Sequence, residues 1–271
     1  MIPLPAATRP GMVRLRVGDL ERSLAWYRDL LGFTVLEESG ARVQVGAAEP
    51  ILELNERPGL RPAPKRAPSL YHFAVLLPDR ASLGRVLAVL LEEGVHPGSA
   101  DHLVSEALYL SDPDGLGIEL YADRPRERWT ARGGAIAMDT LPLDVRSLLA
   151  EGASSTWHGM PGGTRMGHIH LHVPDLAAAA AFHVEALGLE VMAKMPGALF
   201  LAAGGYHHHL GLNTWAPPGP PPEVDEAALL DWELVVPAYT EIRGRVVTPD
   251  AELRLEDPFG MVVRATARVS G

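Results

Sequence analysis

No cysteine occurs among the 271 residues, which excludes disulfides, thiolate metal ligands and a cysteine nucleophile. Basic residues are scarce too: 24 Lys and Arg against 34 Asp and Glu leave a formal charge of −10. That balance argues against nucleic acid or an anionic membrane as a main partner, since both need a basic footprint. No apolar run is long enough to span a bilayer. The opening MIPLPAATRPG lacks the basic-then-apolar pattern of a secretory leader, so a cytoplasmic protein is expected. No Gly-rich phosphate loop opens a helix after a strand, and no nucleotide cofactor is implied.

What is present is a soluble composition, 47% hydrophobic and 21% charged, and a length that allows one large core or two ordinary ones. The chain also repeats itself. VGDLERSLAWYRDLLGF (17–33) and VPDLAAAAAFHVEALGL (173–189) align without a gap. Each reads as a strand end, an Asp at a helix N-cap, an amphipathic helix and a Gly that stops it. LPDRASLGRVLAVLLEEGV (77–95) is a third copy, and VPAYTEIRGRV (236–246) a fourth whose helix is expected to be a turn or two. Alternating apolar and polar stretches with Gly-containing turns follow each copy and read as strands. The unit is therefore strand–helix–three strands, about 45–55 residues long, four times over. Pro and Gly gather at 56–68 and 216–224 as linkers. The N-terminal half (1–125) holds units 11–58 and 69–125, and the C-terminal half (165–271) holds units 165–216 and 228–268. Between them lies a connector (126–164) in which PLDVRSLLAE reads as a helix.

This organisation resembles the vicinal-oxygen-chelate superfamily, which includes glyoxalase I, bleomycin-resistance proteins and extradiol catechol dioxygenases, over nearly the whole chain. The resemblance implies an α+β fold in which βαβββ units pair into cupped sheets around a metal, with ligands from the first and last strand of each unit. By the internal register, the first-strand slots hold Met12, His72, His168 and Asp231. The last-strand slots hold Glu53, Glu119, His209 and Arg264. Only a pairing of unit 2 with unit 3 brings two histidines and a carboxylate together. Units 2 and 3 are thus expected to share the working cup, with His72, Glu119 and His168 as metal ligands. Units 1 and 4 would form a vestigial cup in which Glu53 and Arg264 replace the metal with an ion pair. Two imidazoles and a carboxylate suit non-haem Fe(II), with Mn(II), Zn(II) and Ni(II) as alternatives.

The stretch DHLVSEALYLSDPDGLGIE (101–119) resembles the extradiol dioxygenase motif at His102, Leu108–Tyr109, Asp112–Pro113, Gly115 and Glu119. It departs at Ala100 and stands in the second unit rather than the fourth, the layout of bacterial catechol-2,3-dioxygenase-like proteins. The resemblance gives His102 and Tyr109 contacts to substrate or dioxygen-derived oxygens, and a further last-strand His an acid–base role. GGYHHHLGLN (204–213) offers three imidazoles for that role. Strand alternation from the repeat favours His209 and the family register favours His208. A one-residue bulge would reconcile them. His208 is the first choice and His209 the second. His170 reads as pocket lining, His172 and His183 as structural, and Tyr121, Tyr206 and Trp215 as aromatic wall or core. The resemblance implies an extradiol dioxygenase taking a small aromatic diol and O2, without nucleic acid or membrane, and leaves a homo-oligomer open. The alternatives are a glyoxalase I-like lyase or isomerase, with His209 as a fourth ligand, and a metal-free binding protein.

Overall fold

A computed structural model describes residues 2–132, 134–153 and 156–268. The outermost limits set for the two halves, residue 1 and residues 269–271, lie outside the described residues.

Unit 1 contributes strands β1 (Arg9–Val17), β2 (Thr34–Ser39), β3 (Arg42–Gly46) and β4 (Pro50–Glu56), with α1 (Leu20–Leu24) continuing into a π-helical segment, Ala25–Leu30. Unit 2 has β5 (Ser69–Leu76), α2 (Arg80–Glu92), β6 (Gly98–Asp101), β7 (Ser105–Ser111) and β8 (Gly117–Asp123). The connector carries β9 (Ala131–Arg132), β10 (Ala135–Ile136) and α3 (Val145–Gly152), the helix expected there. Unit 3 has β11 (Arg165–His172), α4 (Leu176–Ala180) with a π-helical continuation (Ala181–Ala186), β12 (Glu190–Met195), β13 (Ala198–Ala202) and β14 (Leu210–Asn213). Unit 4 has β15 (Ala228–Pro237), β16 (Thr240–Ile242), β17 (Arg245–Val247), β18 (Leu253–Glu256) and β19 (Val262–Arg268).

The caps behave as the repeat implies. Asp19, Asp79 and Asp175 accept hydrogen bonds from the backbone N–H of Arg22, Ser82, and Ala177 and Ala178 respectively. One expectation fails: unit 4 has no helix after its first strand. TEIRGRVV is rich in β-branched residues, and Arg243 and Gly244 both take positive φ (51° and 72°), so the chain folds as a hairpin. Two left-handed central residues give the tight turn that twists with its strands.

The sheets pair units as the ligand types imply. One runs β12-β13-β14-β11-β5-β8-β7-β6 and joins units 3 and 2; the other runs β18-β19-β15-β1-β4-β3-β2 and joins units 4 and 1. In each, two first strands meet antiparallel at the centre and each is flanked by its own last strand in parallel. Alternate residues of these strands, Val13, Leu15, Phe73, Val75, Ile169 and Leu171, join one buried cluster with Tyr27 and Leu83. Their neighbours on the opposite faces line the cups. The joints between units repeat as well. Tyr27 of α1's continuation donates to Asp112 at 2.9 Å, while His183, its counterpart in unit 3, stands 3.9 Å from Asp257. Among the described residues no helix is long and apolar enough to cross a membrane.

Candidate metal centre

His72, Glu119 and His168 come from β5, β8 and β11, three adjacent strands at the centre of the unit 2–3 sheet. Period-2 alternation sends all three to the concave face, and Ala74 between them leaves room. Ala74 pairs with both Glu119 and His168. Both imidazole Nε2 atoms approach the same oxygen, Glu119 Oε2, at 3.0 Å from His72 and 3.1 Å from His168. One ligand atom from each residue lies within 4.8 Å of the others, and all three side chains are buried.

Electrostatics favour ligation. Burial pushes His168 down to about 4, so its ring is neutral near pH 7. Burial alone would raise the Glu119 carboxyl, but His168 and His72 outweigh it and hold it well below the carboxylate range. Neutral imidazole and ionised carboxylate are the forms a cation requires. His72 Nε2, though close to Glu119, finds no hydrogen bond of acceptable geometry and is buried. An orphaned buried nitrogen aimed at two other donors fits a divalent ion.

The fourth slot is closed to protein. In unit 2 the residue two beyond His72, Ala74, pairs with Glu119. In unit 3 the residue two beyond His168, His170, pairs with Gly211. Glycine thus takes the place of a fourth ligand. A Cβ there would lie 2.7 Å from the His170 ring, which covers the spot. Asn213 donates to His170 Nε2 at 3.0 Å and fixes that ring.

A cavity of about 260 Å³ opens over the three residues, lined by His102, Tyr109, His170 and His208 and walled by Tyr71, Met138, Met195, Phe200 and Trp215. Met138 and Thr140 bring the connector into this wall. The Asp139 carbonyl can only accept, so His102 Nδ1 donates to it at 2.8 Å. With the Nδ1 proton so placed, Nε2 is the acceptor for the Tyr109 hydroxyl at 2.6 Å. Burial, and then Glu119, push the Tyr109 phenol up, which keeps it a donor.

A family model described as Glyoxalase/Bleomycin resistance protein/Dioxygenase superfamily matches residues 9–120 and 165–264, most of the chain. The chain belongs to that superfamily. A Bacillus subtilis (strain 168) protein named catechol-2,3-dioxygenase is 46% identical over 240 residues, 86% of this chain and 84% of its own. A Pseudomonas sp. (strain CF600) metapyrocatechase is 28% identical over 193 residues, 66% of this chain and 54% of the relative. Glyoxalase I from Zea mays shares the fold, with TM-score 0.55 at 16% identity over 96% of this chain and 92% of that one.

Within this superfamily chain the histidine run divides three ways. His208 lines the cavity, its ring centroid 4.0 Å from that of His168. His207 is fully buried behind it. His209 turns away, which corrects its placing as a fourth ligand and as second choice for the acid–base residue. Its Nδ1 accepts from the Ala203 N–H at 3.2 Å, its ring stacks on Tyr206, and it lines a separate cavity with Arg9, Arg126 and Arg165. The alternation argument fails because residues 203–209 leave the strand: Gly204 and Gly205 take φ of 64° and 68°, β13 ends at Ala202 and β14 starts only at Leu210. Of the three aromatics singled out, only Trp215 lines the cavity; Tyr121 and Tyr206 hydrogen-bond each other behind it.

The second cup needs a correction of detail. Arg264 does not meet Glu53. It pairs with Asp231 at 2.9 Å and with Glu252, while Arg14 stands between, 2.7 Å from Asp231 and 3.7 Å from Glu53. The antiparallel register that sets Arg14 opposite Asp231 is the reason, and it is invisible within a single unit.

Proposed function

We propose that the chain is an extradiol dioxygenase, with Fe(II), or Mn(II) as the alternative, held by His72, Glu119 and His168. The observation that carries this reading is the three-residue donor set whose fourth slot is Gly211 under the His170 ring. Three protein ligands leave neighbouring positions open. The bound ion would supply those positions to a catecholate and O2 together. In the overall reaction the ring C–C bond beside one hydroxylated carbon breaks and both oxygen atoms of O2 enter the product.

The chain's own residues do the rest. The wall of Tyr71, Met138, Met195, Phe200 and Trp215 offers apolar and aromatic surface to a flat ring. Tyr109, donating to His102, presents its oxygen lone pairs as acceptors toward the site. His208, whose ionised form burial and then the His168 ring disfavour, is a neutral base at the start of a cycle. It can take a proton as a catechol hydroxyl ionises and return it later.

The 46% identical relative named catechol-2,3-dioxygenase supports this reading. The glyoxalase-type alternative needs a fourth protein ligand, which neither Gly211 nor the averted His209 supplies. A metal-free binding role leaves His72 Nε2 buried and unused. Anaerobically Fe(II)-loaded chain should consume one O2 per catechol and give a yellow ring-opened product. Metal bound one to one, but no oxygen uptake with a panel of substituted catechols, would overturn the reading.

A further inference from the structure

Behind His208 runs a chain of contacts to which the site described so far gives no role. His208 Nδ1 lies 2.7 Å from His207 Nδ1, and His207 Nε2 lies 2.9 Å from Asp123 Oδ1. The Tyr206 hydroxyl donates to the other carboxylate oxygen, Asp123 Oδ2, at 2.9 Å, and the Tyr121 hydroxyl lies 2.8 Å from that of Tyr206. His207 is fully buried, with Tyr206 at 4.1 Å and Trp129 at 5.2 Å between ring centroids. The chain runs from this buried ring to an Asp123 side chain that is partly exposed.

Two nitrogens at 2.7 Å cannot both be bare or both carry a proton; one donates. The carboxylate fixes the far end of His207. A carboxylate is acceptor-only, so His207 carries its proton on Nε2. With that single proton on the His207 ring, its Nδ1 is a lone pair, and His208 donates to it from its own Nδ1. Nε2 of His208 is left as the bare nitrogen, and no hydrogen bond engages it among the described residues. We propose that Asp123 and His207 are positioning residues that lock His208 as its Nδ1–H tautomer and so keep a proton-accepting Nε2 on the cavity side. The connector does the corresponding work for His102 through the Asp139 carbonyl.

The catalytic consequence rests on the dioxygenase reading; the tautomer does not. The test is two-bond 15N–1H correlation spectroscopy on 15N-histidine-labelled chain loaded with Zn(II), which is diamagnetic. The expected pattern is Nδ1–H for His208 and Nε2–H for His207. Asp123→Ala removes the acceptor of the His207 Nε2–H, and should mix or invert both tautomers. With Fe(II) and catechol the same variant should lose about 10- to 100-fold in kcat with KM little changed. A wild-type His208 carrying its proton on Nε2 overturns the proposal without any variant. So does an Asp123→Ala chain whose tautomers and kcat match wild type. The expected tautomers in a chain that cleaves no catechol would uphold the positioning and sink the dioxygenase reading alone.

Discussion

Replacing His183 by Gln should remove a steep acid dependence from the stability of the chain. His183 is 2% exposed, neither ring nitrogen has a hydrogen-bond partner, and Asp257 at 3.9 Å is too far to donate to or accept from. Burial therefore wins and lowers its pKa to about 3. The unfolded ring titrates near its ordinary value of about 6.5. Between those values the unfolded chain binds the extra proton, so stability falls as pH falls below about 6.5 and levels off only near 3. At about 1.4 kcal/mol per pH unit, the loss between pH 8 and pH 5 is about 2 kcal/mol. Urea unfolding of wild type and His183→Gln, both in EDTA, at the two pH values isolates this contribution, because every other titrating group is common to both. The wild-type advantage should shrink by that amount at pH 5. An unchanged difference would mean that His183 charges in place against Asp257, and the burial argument would fail.

Two further outcomes follow from the cups. Arg14→Met strips a partner from the buried Asp231 and Glu53, which keep Arg264, and Gln44 and Asn55, respectively. It should cost about 1–3 kcal/mol in urea unfolding and leave metal content unchanged. Gly211→Ala sets a methyl 2.7 Å from the His170 ring, so it should cost about 1–3 kcal/mol. It should also raise KM for the diol more than it lowers metal affinity, read from equilibrium dialysis alongside steady-state oxygen uptake.

Much of the architecture was legible because the repeat is periodic and its caps and stops are chemical: Asp19, Asp79 and Asp175 in front, Gly32, Gly94 and Gly188 behind. Unit pairing was legible from ligand type alone, since only units 2 and 3 carry imidazoles opposite a carboxylate. Illegible parts share a cause: they depend on backbone that leaves the repeat. The two left-handed glycines before the histidine run reset which imidazole faces the cup, so the ungapped repeat put His209 where Gly211 belongs. Unit 4's helix was lost to a hairpin whose turn, Arg243–Gly244, the alignment with units 1–3 concealed. Asp123, Arg14 and the connector's Met138 and Thr140 matter only through partners distant in sequence, and no local pattern marks them; His207 stood out in the histidine run, but its bond to Asp123 did not.

The central claim is that His72, Glu119 and His168 hold one ion while no fourth side chain does. An anomalous difference map at the iron edge, from crystals of the anaerobically Fe(II)-loaded chain, tests it most directly. One peak per chain is predicted, bonded to both Nε2 atoms and a Glu119 oxygen, with Gly211 and the His170 ring on its fourth side. A peak bonded to His208 or His209, or no peak beside Glu119 at full iron loading, would contradict the account.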